Sequence, residues 1–215
     1  MLKKISVLIY VFVLLAGAVN AQTVNTAKEA TPTEKLSLSC GIVVDNSGSY
    51  RTIFEEVIRT VTQIIEATNP EDETFLVRFV NTDTISLVQD FTSDKEELRS
   101  AAEEMFIQGG QTAILDGVYF SAKHLADAPP SKRRKVLILI TDGEDRKSTA
   151  KIEDVVKFLK DEKIQVFTLG LSDGKIYKNL LEKLAKETGG KSFVVEKRSG
   201  IQAIVKQLTD AVRAQ

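Results

Sequence analysis

Short apolar runs alternate with amphipathic helical patterns along most of this chain, and this alternation limits its fold more than any other feature. Runs typical of buried strands begin at Leu36 and Lys135 and recur at 164–170 and 191–195. Helical periodicity lies between them, most clearly at 53–65, where apolar residues are spaced by three and four. The sequence therefore predicts an α/β fold: a doubly wound, mostly parallel central sheet with helices on both faces.

Turn and cap signals set the expected boundaries. A turn at 81–83 joins two runs into a hairpin, so one antiparallel edge strand is expected. Ser93 and Glu96 fit a helix-capping box. The predicted strands are 36–44, 74–80, 84–89, 135–141, 164–170 and 191–195. The predicted helices are a segment from Tyr50 that ends before Pro70, then 93–106, 113–126, 149–162, 175–188 and 199–213.

The amino-terminal segment has the pattern of a secretory signal. Lys3 and Lys4 precede an apolar run of 14 residues, Ile5 to Ala18, which is shorter than the ~20 residues needed to span a bilayer. Cleavage after Ala21 would remove 1–21 as a signal peptide, with 22–33 as a flexible lead-in and 34–215 as one domain. The mature chain is then expected to be exported, periplasmic or secreted, with no membrane span.

Charge and single residues exclude several classes of function. Loss of the two lysines with the signal would change the formal net charge from −1 to about −3, which disfavours a nucleic-acid partner. The lone Cys40 has no disulfide partner in this chain and is predicted to be a buried apolar residue. The single His124 is predicted to be solvated or hydrogen-bonded and not a metal ligand.

Five oxygen-bearing side chains follow predicted strands or precede a predicted helix. They are Asp45, Ser47 and Ser49 in VVDNSGSY, Thr112 in GGQTAILDG, and Asp142 in LILITDGED. In open α/β sheets, ligands bind at the carboxyl ends of the strands, where both aspartates are expected. Oxygen ligands alone favour a hard divalent cation, so we predict Mg²⁺, with Mn²⁺ or Ca²⁺ possible.

The charge of this set indicates an open metal site. Two carboxylates leave a divalent cation nearly neutral, while the three hydroxyls add no formal charge. The ion would remain electrophilic and accept a further carboxylate from outside. The sequence thus predicts a partner protein that supplies an Asp or Glu to the metal.

These segments resemble the metal-ion-dependent adhesion site (MIDAS) of von Willebrand factor type A (vWA) domains, in DNSGS, the threonine of GGQT and the TDG at Asp142. The order of elements is similar to that family's Rossmann-like fold. The resemblance implies direct coordination by Ser47 and Ser49, with Asp45 and Asp142 often acting through water and Thr112 either directly or through water. NPEDETFLVRF, QDFTSDKEEL and GGQTAILDGVY resemble bacterial exported members. Tyr50 departs from the methionine that many members carry there.

Neighbouring polar residues have structural interpretations. Asp116 is predicted to make a structural hydrogen bond, in preference to a metal role. For Glu144 and Asp145 a solvated loop is favoured over tuning of the ion. The basic run 132–135 is interpreted as a charged flank of a core strand, with anion binding as the alternative.

Three functions from different classes remain open at this point. The favoured one is a non-enzymatic, metal-dependent protein-binding module. The alternative is a metal-assisted hydrolase or phosphoryl-transfer enzyme, although no His, Cys or Lys lies beside the cluster in sequence to act as a base. The third is a regulatory partner of a ring ATPase, as in the chelatase-associated vWA proteins, which are cytoplasmic. The identity of the partner and the oligomeric state are left open.

Overall fold

The computed structural model describes residues 37–214 and contains one six-stranded sheet in that range. The predicted signal peptide and lead-in lie outside the described residues. The strands are β1 Leu38–Asp45, β2 Glu73–Phe79, β3 Ile85–Thr92, β4 Arg134–Thr141, β5 Gln165–Gly170 and β6 Ser192–Val194. The α-helices are α1 Phe54–Glu66, α2 Lys95–Glu103, α3 Ile114–Asp127, α4 Ile152–Asp161, α5 Lys178–Thr188 and α6 Ile201–Arg213. Short 3₁₀ turns occur at Gly48–Tyr50 and Arg198–Gly200.

The strand order is β3-β2-β1-β4-β5-β6, and only the β2–β3 pairing is antiparallel. This confirms the predicted fold class and its antiparallel edge strand. The chain runs outward from β1 to β3 and then returns to place β4 on the other side of β1. The strand order therefore reverses between β1 and β4, and the crevice at their carboxyl ends is where such sheets bind ligands.

Two apolar clusters cover the two faces of the sheet. Alternate residues of β1 point to opposite faces, so Ile42 and Val44 belong to one cluster and Val43 to the other. The first cluster is covered by α1, α2 and α6, and the second by α3, α4 and α5. The strands are buried on both sides, which explains their nearly continuous apolar sequences.

The cap and the end of α2 differ from the prediction. Asp94, not Ser93, is the N-cap residue, and its Oδ1 accepts a hydrogen bond of 2.8 Å from the amide of Glu96. A carboxylate at this position makes a charge-assisted bond at the positive end of the helix. The helix ends at Glu103 and not at Phe106, whose carbonyl instead accepts a bond of 2.8 Å from Asn46 Nδ2.

The single cysteine is buried and the single histidine is hydrogen-bonded, as predicted. Cys40 is buried in the core, and its thiol pKa is raised to about 12. Burial is the main cause, and the nearby carboxylate of Asp72 adds to the rise. His124 Nε2 lies 2.9 Å from Asp90 Oδ1, and its ring stacks on that of Phe91. Within 37–214, no helix has the length and apolar character that crossing a bilayer requires.

Side chains of the basic run 132–135, at the start of β4, make ion pairs and hydrogen bonds within the protein. Arg133 pairs with Glu73 at 3.3 Å, Lys135 pairs with Glu162 at 3.2 Å, and Arg134 donates to the carbonyl of Val212. These contacts favour the structural interpretation of the run over anion binding.

A buried ion pair lies at the amino ends of β1 and β2. Asp72 is 2% exposed and accepts hydrogen bonds from the amides of Leu38 (2.8 Å) and Asn69 (2.7 Å). Arg213, the last residue of α6, donates hydrogen bonds from both terminal guanidinium nitrogens to the same carboxylate. Burial alone would raise the pKa of Asp72, but the bonds from Arg213 and the two amides outweigh it and lower that pKa.

Candidate functional site

Two aspartates lie side by side in the crevice at the carboxyl ends of β1 and β4. Asp45 is the last residue of β1 and is fully buried; its carboxylate accepts bonds from Thr141 Oγ1 (2.6 Å) and the Ser47 amide (2.9 Å). Asp142 directly follows β4, is 4% exposed, and accepts a bond of 2.9 Å from the Glu144 amide. The bond from Thr141 joins the ends of the two strands.

The two serines connect the buried part of the site to its solvent-exposed edge. Ser47 and Ser49 lie on either side of the glycine that begins the first 3₁₀ turn, and their Oγ atoms are 3.1 Å apart. Ser47 is buried beside Asp45, whereas Ser49 is exposed. The hydroxyl pair therefore leads from the buried carboxylates to the surface.

Thr112 is held against both aspartate loops by backbone hydrogen bonds. Its carbonyl accepts bonds from the amides of Arg146 (2.9 Å) and Lys147 (3.0 Å), which follow Asp142. On the other side, the carbonyl of Gly110 accepts a bond of 3.3 Å from the amide of Gly48. The structure thus brings the three predicted segments together at the carboxyl end of the sheet, and each segment is hydrogen-bonded to the other two.

Two glycines permit the close approach of these loops. Gly110 and Gly143 have φ values of +119° and +84°, which residues with a side chain rarely adopt. A Cβ on Gly143 would also meet the backbone of Tyr177, whose amide donates a bond of 2.8 Å to the Asp142 carbonyl. The loop after Asp142 therefore depends on glycine for its path.

The two buried aspartates of the site lack a cationic partner in the part of the chain that the structure describes. No ion pair among residues 37–214 includes Asp45 or Asp142. Burial raises the pKa of Asp45 to about 7; hydrogen bonds from Thr141 and Ser47 oppose this rise, while the charge of Asp142 adds to it. Buried carboxylates without a partner are costly, so this arrangement suits a bound cation.

The donor types fit a hard cation better than a softer metal that prefers Cys or His ligands. Among the described residues, no group of three or more His, Cys, Asp or Glu side chains forms a metal-binding cluster. The candidate set instead combines two carboxylates with hydroxyl groups, and oxygen donors of this kind suit Mg²⁺, Mn²⁺ or Ca²⁺.

Asp116 has the structural role that the sequence indicated. Its carboxylate accepts bonds from the amides of Thr149 (2.9 Å) and Ala150 (2.8 Å) and from the hydroxyl of Thr82. Burial would raise its pKa, but these bonds prevail and lower it. Asp116 thus joins α3 to the β2–β3 turn and to the loop before α4.

The prediction of a solvated loop at Glu144 and Asp145 is wrong for Asp145. Its Oδ1 accepts bonds from the Ile114 amide (2.8 Å) and Ser148 Oγ (2.6 Å), so it caps the start of α3, next to Thr112. Ile114 is 31 residues from Asp145 in sequence, so no local pattern could predict this cap. Glu144 is half-buried and pairs with Arg146 at 2.6 Å.

The sequence did not predict the roles of two residues that position the loops of the site. Asn46 donates from Nδ2 to the carbonyl of Phe106, 60 residues away, and thereby ties the first loop to the segment before Thr112. Tyr50 is buried and donates from its hydroxyl to the carbonyl of Leu171, 121 residues away, at 2.8 Å. No local sequence signal could have revealed partners at these separations.

Comparison with known families agrees with this geometry. The family model of the von Willebrand factor type A domain matches residues 41–207, which include all five candidate residues. The chain belongs to the von Willebrand factor type A domain family. A search of curated proteins found no match.

Solved structures share the vWA fold at low sequence identity. The conserved hypothetical protein BatB from Bacteroides thetaiotaomicron is 18% identical (TM-score 0.66; 82% of this chain, 99% of that one). An aerotolerance-related membrane protein from Bacteroides fragilis is 20% identical (TM-score 0.63; 81% and 99%). Proximal thread matrix protein 1 from the mussel byssus, solved with a zinc-occupied MIDAS motif, is 19% identical (TM-score 0.71; 83% and 48%). This vWA domain thus spans about half of the mussel chain and nearly all of the two Bacteroides chains.

Proposed function

We propose that this vWA domain binds a divalent cation and, through it, an acidic side chain of a partner protein. The ligands would be Asp45, Ser47, Ser49, Thr112 and Asp142. The observation that carries the proposal is the pair of buried carboxylates that have no ion-pair partner among residues 37–214, bordered on the solvent side by the exposed Ser49. A bound cation would compensate the buried charge and remain accessible from outside.

Mg²⁺ is the proposed ion, with Mn²⁺ and Ca²⁺ as the other oxygen-preferring candidates. When bound, such an ion would supply an electrophilic centre for an outside carboxylate. The protein's own groups orient the ligands: Thr141 and the Ser47 amide hold Asp45, and the Glu144 amide holds Asp142. The mussel vWA protein with zinc in its MIDAS motif supports metal binding at this position of the fold.

Binding is favoured over catalysis because the histidine and the cysteine of this chain, which could act as a base or a nucleophile, lie away from the cluster. His124 pairs with Asp90 and is stacked on Phe91, and Cys40 is buried near Asp72 at the amino ends of the strands. A metal-assisted hydrolase or phosphoryl-transfer enzyme would need such a base beside the cluster. Turnover of generic phosphate or ester substrates that disappeared in Asp45→Asn would support the enzyme instead.

We also propose that the chain acts outside the cytoplasm. The charged, apolar and small-residue pattern of 1–21 supports export, and the similarity to a Bacteroides fragilis protein described as a membrane protein is compatible with it. Detection of the mature chain, starting at Gln22, in periplasmic or secreted fractions would test this proposal. Recovery of the uncleaved chain in the cytosol would contradict it and favour the ring-ATPase partner.

Titration calorimetry with MgCl₂ tests the metal site directly. We expect Asp45→Asn and Thr112→Ala to weaken Mg²⁺ binding by at least about tenfold, a loss of about 1.4 kcal/mol or more. The matched control is Asp83→Asn, an exposed aspartate of the β2–β3 turn. Equal affinity in wild type and Asp45→Asn would reject the site.

A pull-down from the exported compartment tests the second step. The tagged domain should retain its partner in Mg²⁺ and release it in EDTA, and Thr112→Ala should retain less. A partner held equally in both conditions would show that binding does not use the metal.

A further inference from the structure

A cleft of about 630 Å³ opens directly beside the candidate metal site. It is lined by 143–145, the loop that follows Asp142, and by 175–180, the start of α5. The hydrogen bond from the Tyr177 amide to the Asp142 carbonyl joins the two walls. The cleft is therefore within reach of a segment bound at the site.

The floor of the cleft is apolar and supported by the core. Ile176 and Leu180 are half-buried and pack against the second apolar cluster, so one side of each is fixed while the other remains open. Tyr177, also half-buried, adds an aromatic surface. Covering this floor would remove apolar surface from water at little ordering cost, because the side chains are already held in place.

Two exposed lysines bring positive charge to one wall of the cleft. Lys175 and Lys178 are exposed; Lys175 Nζ lies 4.4 Å from the centre of the Tyr177 ring and makes no ion pair with a described residue. Lys178 reaches Glu196 only at 3.9 Å. The acidic residues of the opposite wall are engaged, Glu144 by Arg146 and Asp145 by the start of α3.

We propose that this cleft binds a large apolar side chain adjacent to the metal-coordinating acid of the partner, and that Lys175 and Lys178 bind a second carboxylate of that segment. The inference rests on the proposed function and adds the sequence class that the site selects: an acidic residue, a leucine- or phenylalanine-sized neighbour and a further acid. Two other clefts, of about 600 Å³ along β3 and α2 and about 540 Å³ along α3, share no residue with this wall.

The test is selection from a random peptide library displayed on phage, with the full domain as bait in Mg²⁺ and in EDTA. In Mg²⁺ the selected peptides should carry an acid with a large apolar residue within one or two positions and a second acid nearby. Leu180→Ala should reduce the apolar preference, and Lys175→Glu with Lys178→Glu should remove the second acid. Controls are Leu87→Ala and Lys123→Glu, which line the other two clefts.

A synthetic consensus peptide then gives the magnitudes. We expect Leu180→Ala to weaken its Mg²⁺-dependent binding roughly tenfold with Mg²⁺ affinity itself unchanged, and the double lysine variant to weaken peptide binding roughly fivefold. Magnesium-dependent selection of acids without an apolar neighbour, or selection that these variants leave unaltered, would overturn the cleft proposal alone. Selection that is equal in Mg²⁺ and EDTA would overturn the proposed function and this inference together.

Discussion

The two ends of the central sheet each bury aspartate, but they treat its charge in opposite ways. At the amino ends, Asp72 is paired with Arg213 and with two amides, and its pKa is lowered. At the carboxyl ends, Asp45 and Asp142 have no cationic partner among the described residues, and the pKa of Asp45 is raised to about 7. The aspartate at one end therefore takes part in a stabilising ion pair, and the aspartates at the other end are left without one.

The two ends of the sheet should therefore differ in how the loss of a carboxylate changes the stability of the fold. Removing a compensated carboxylate leaves its cationic partner unpaired, whereas removing an uncompensated one relieves a desolvation cost. Variants at the two ends should therefore change the free energy of unfolding in opposite directions.

The largest expected effect is at the amino end. Asp72→Ala would leave Arg213 without its ion-pair partner and the Leu38 and Asn69 amides without acceptors, so we expect a loss of about 3–5 kcal/mol in the free energy of unfolding. Urea denaturation followed by circular dichroism measures it. The paired variant Asp45→Asn, in EDTA, should be as stable as wild type or more so; an equally large loss there would remove the contrast.

The next effect sharpens the carboxyl end. At a Mg²⁺ concentration about 100 times its Kd, binding to the folded state should raise the free energy of unfolding by about 2.7 kcal/mol. Thermal denaturation with and without EDTA measures this, and Asp45→Asn should show no shift. A Mg²⁺ shift retained by that variant would place the ion elsewhere.

A smaller effect depends on pH. Because the pKa of Asp72 is lower in the folded than in the unfolded chain, its contribution to stability is complete above the unfolded pKa of about 3.9 and is lost as pH falls through the folded value. The stability difference between wild type and Asp72→Asn should therefore be constant near neutrality and shrink below about pH 4. A difference that grew on acidification would contradict the assigned ion pair.

The smallest effect concerns Tyr50, which supports the first loop from beneath. Tyr50→Phe removes one buried hydrogen bond to the Leu171 carbonyl and should cost about 0.5–1.5 kcal/mol of stability. Mg²⁺ affinity, measured by calorimetry, should stay within about twofold of wild type if this residue acts only as a support. A tenfold loss of affinity would instead make it part of the metal site.

The strands, the hairpin and the first segment of the candidate site give local sequence signals, whereas joining that segment to Thr112 and Asp142 required the predicted order of the elements. Asp45, Ser47 and Ser49 occupy alternate positions of a five-residue segment that begins at the end of a buried strand, and the apolar runs indicate the sheet directly. The starts of α4 and α5 could not be predicted: both helices begin three residues later than predicted, at Ile152 and Lys178. The amides of Thr149 and Tyr177, just before them, are bound to Asp116 and to the Asp142 carbonyl, contacts that only the folded chain provides.

Long-range pairs explain the other omissions. Asp72 and Arg213 are 141 residues apart, and Asp145 lies 31 residues after the amide that it caps. Neither pair follows from spacing or periodicity. Both depend on which loops the sheet order brings together.

The loops of the candidate site are joined mainly through main-chain atoms, as in the bonds from the Arg146 and Lys147 amides to the Thr112 carbonyl. Almost any amino acid can supply such bonds. Exposed side chains of these loops can therefore diverge between related proteins without displacing Asp45, Thr112 or Asp142. Substitutions of exposed side chains on this surface should therefore change which partner the proposed site selects, while the arrangement of the five candidate ligands stays the same.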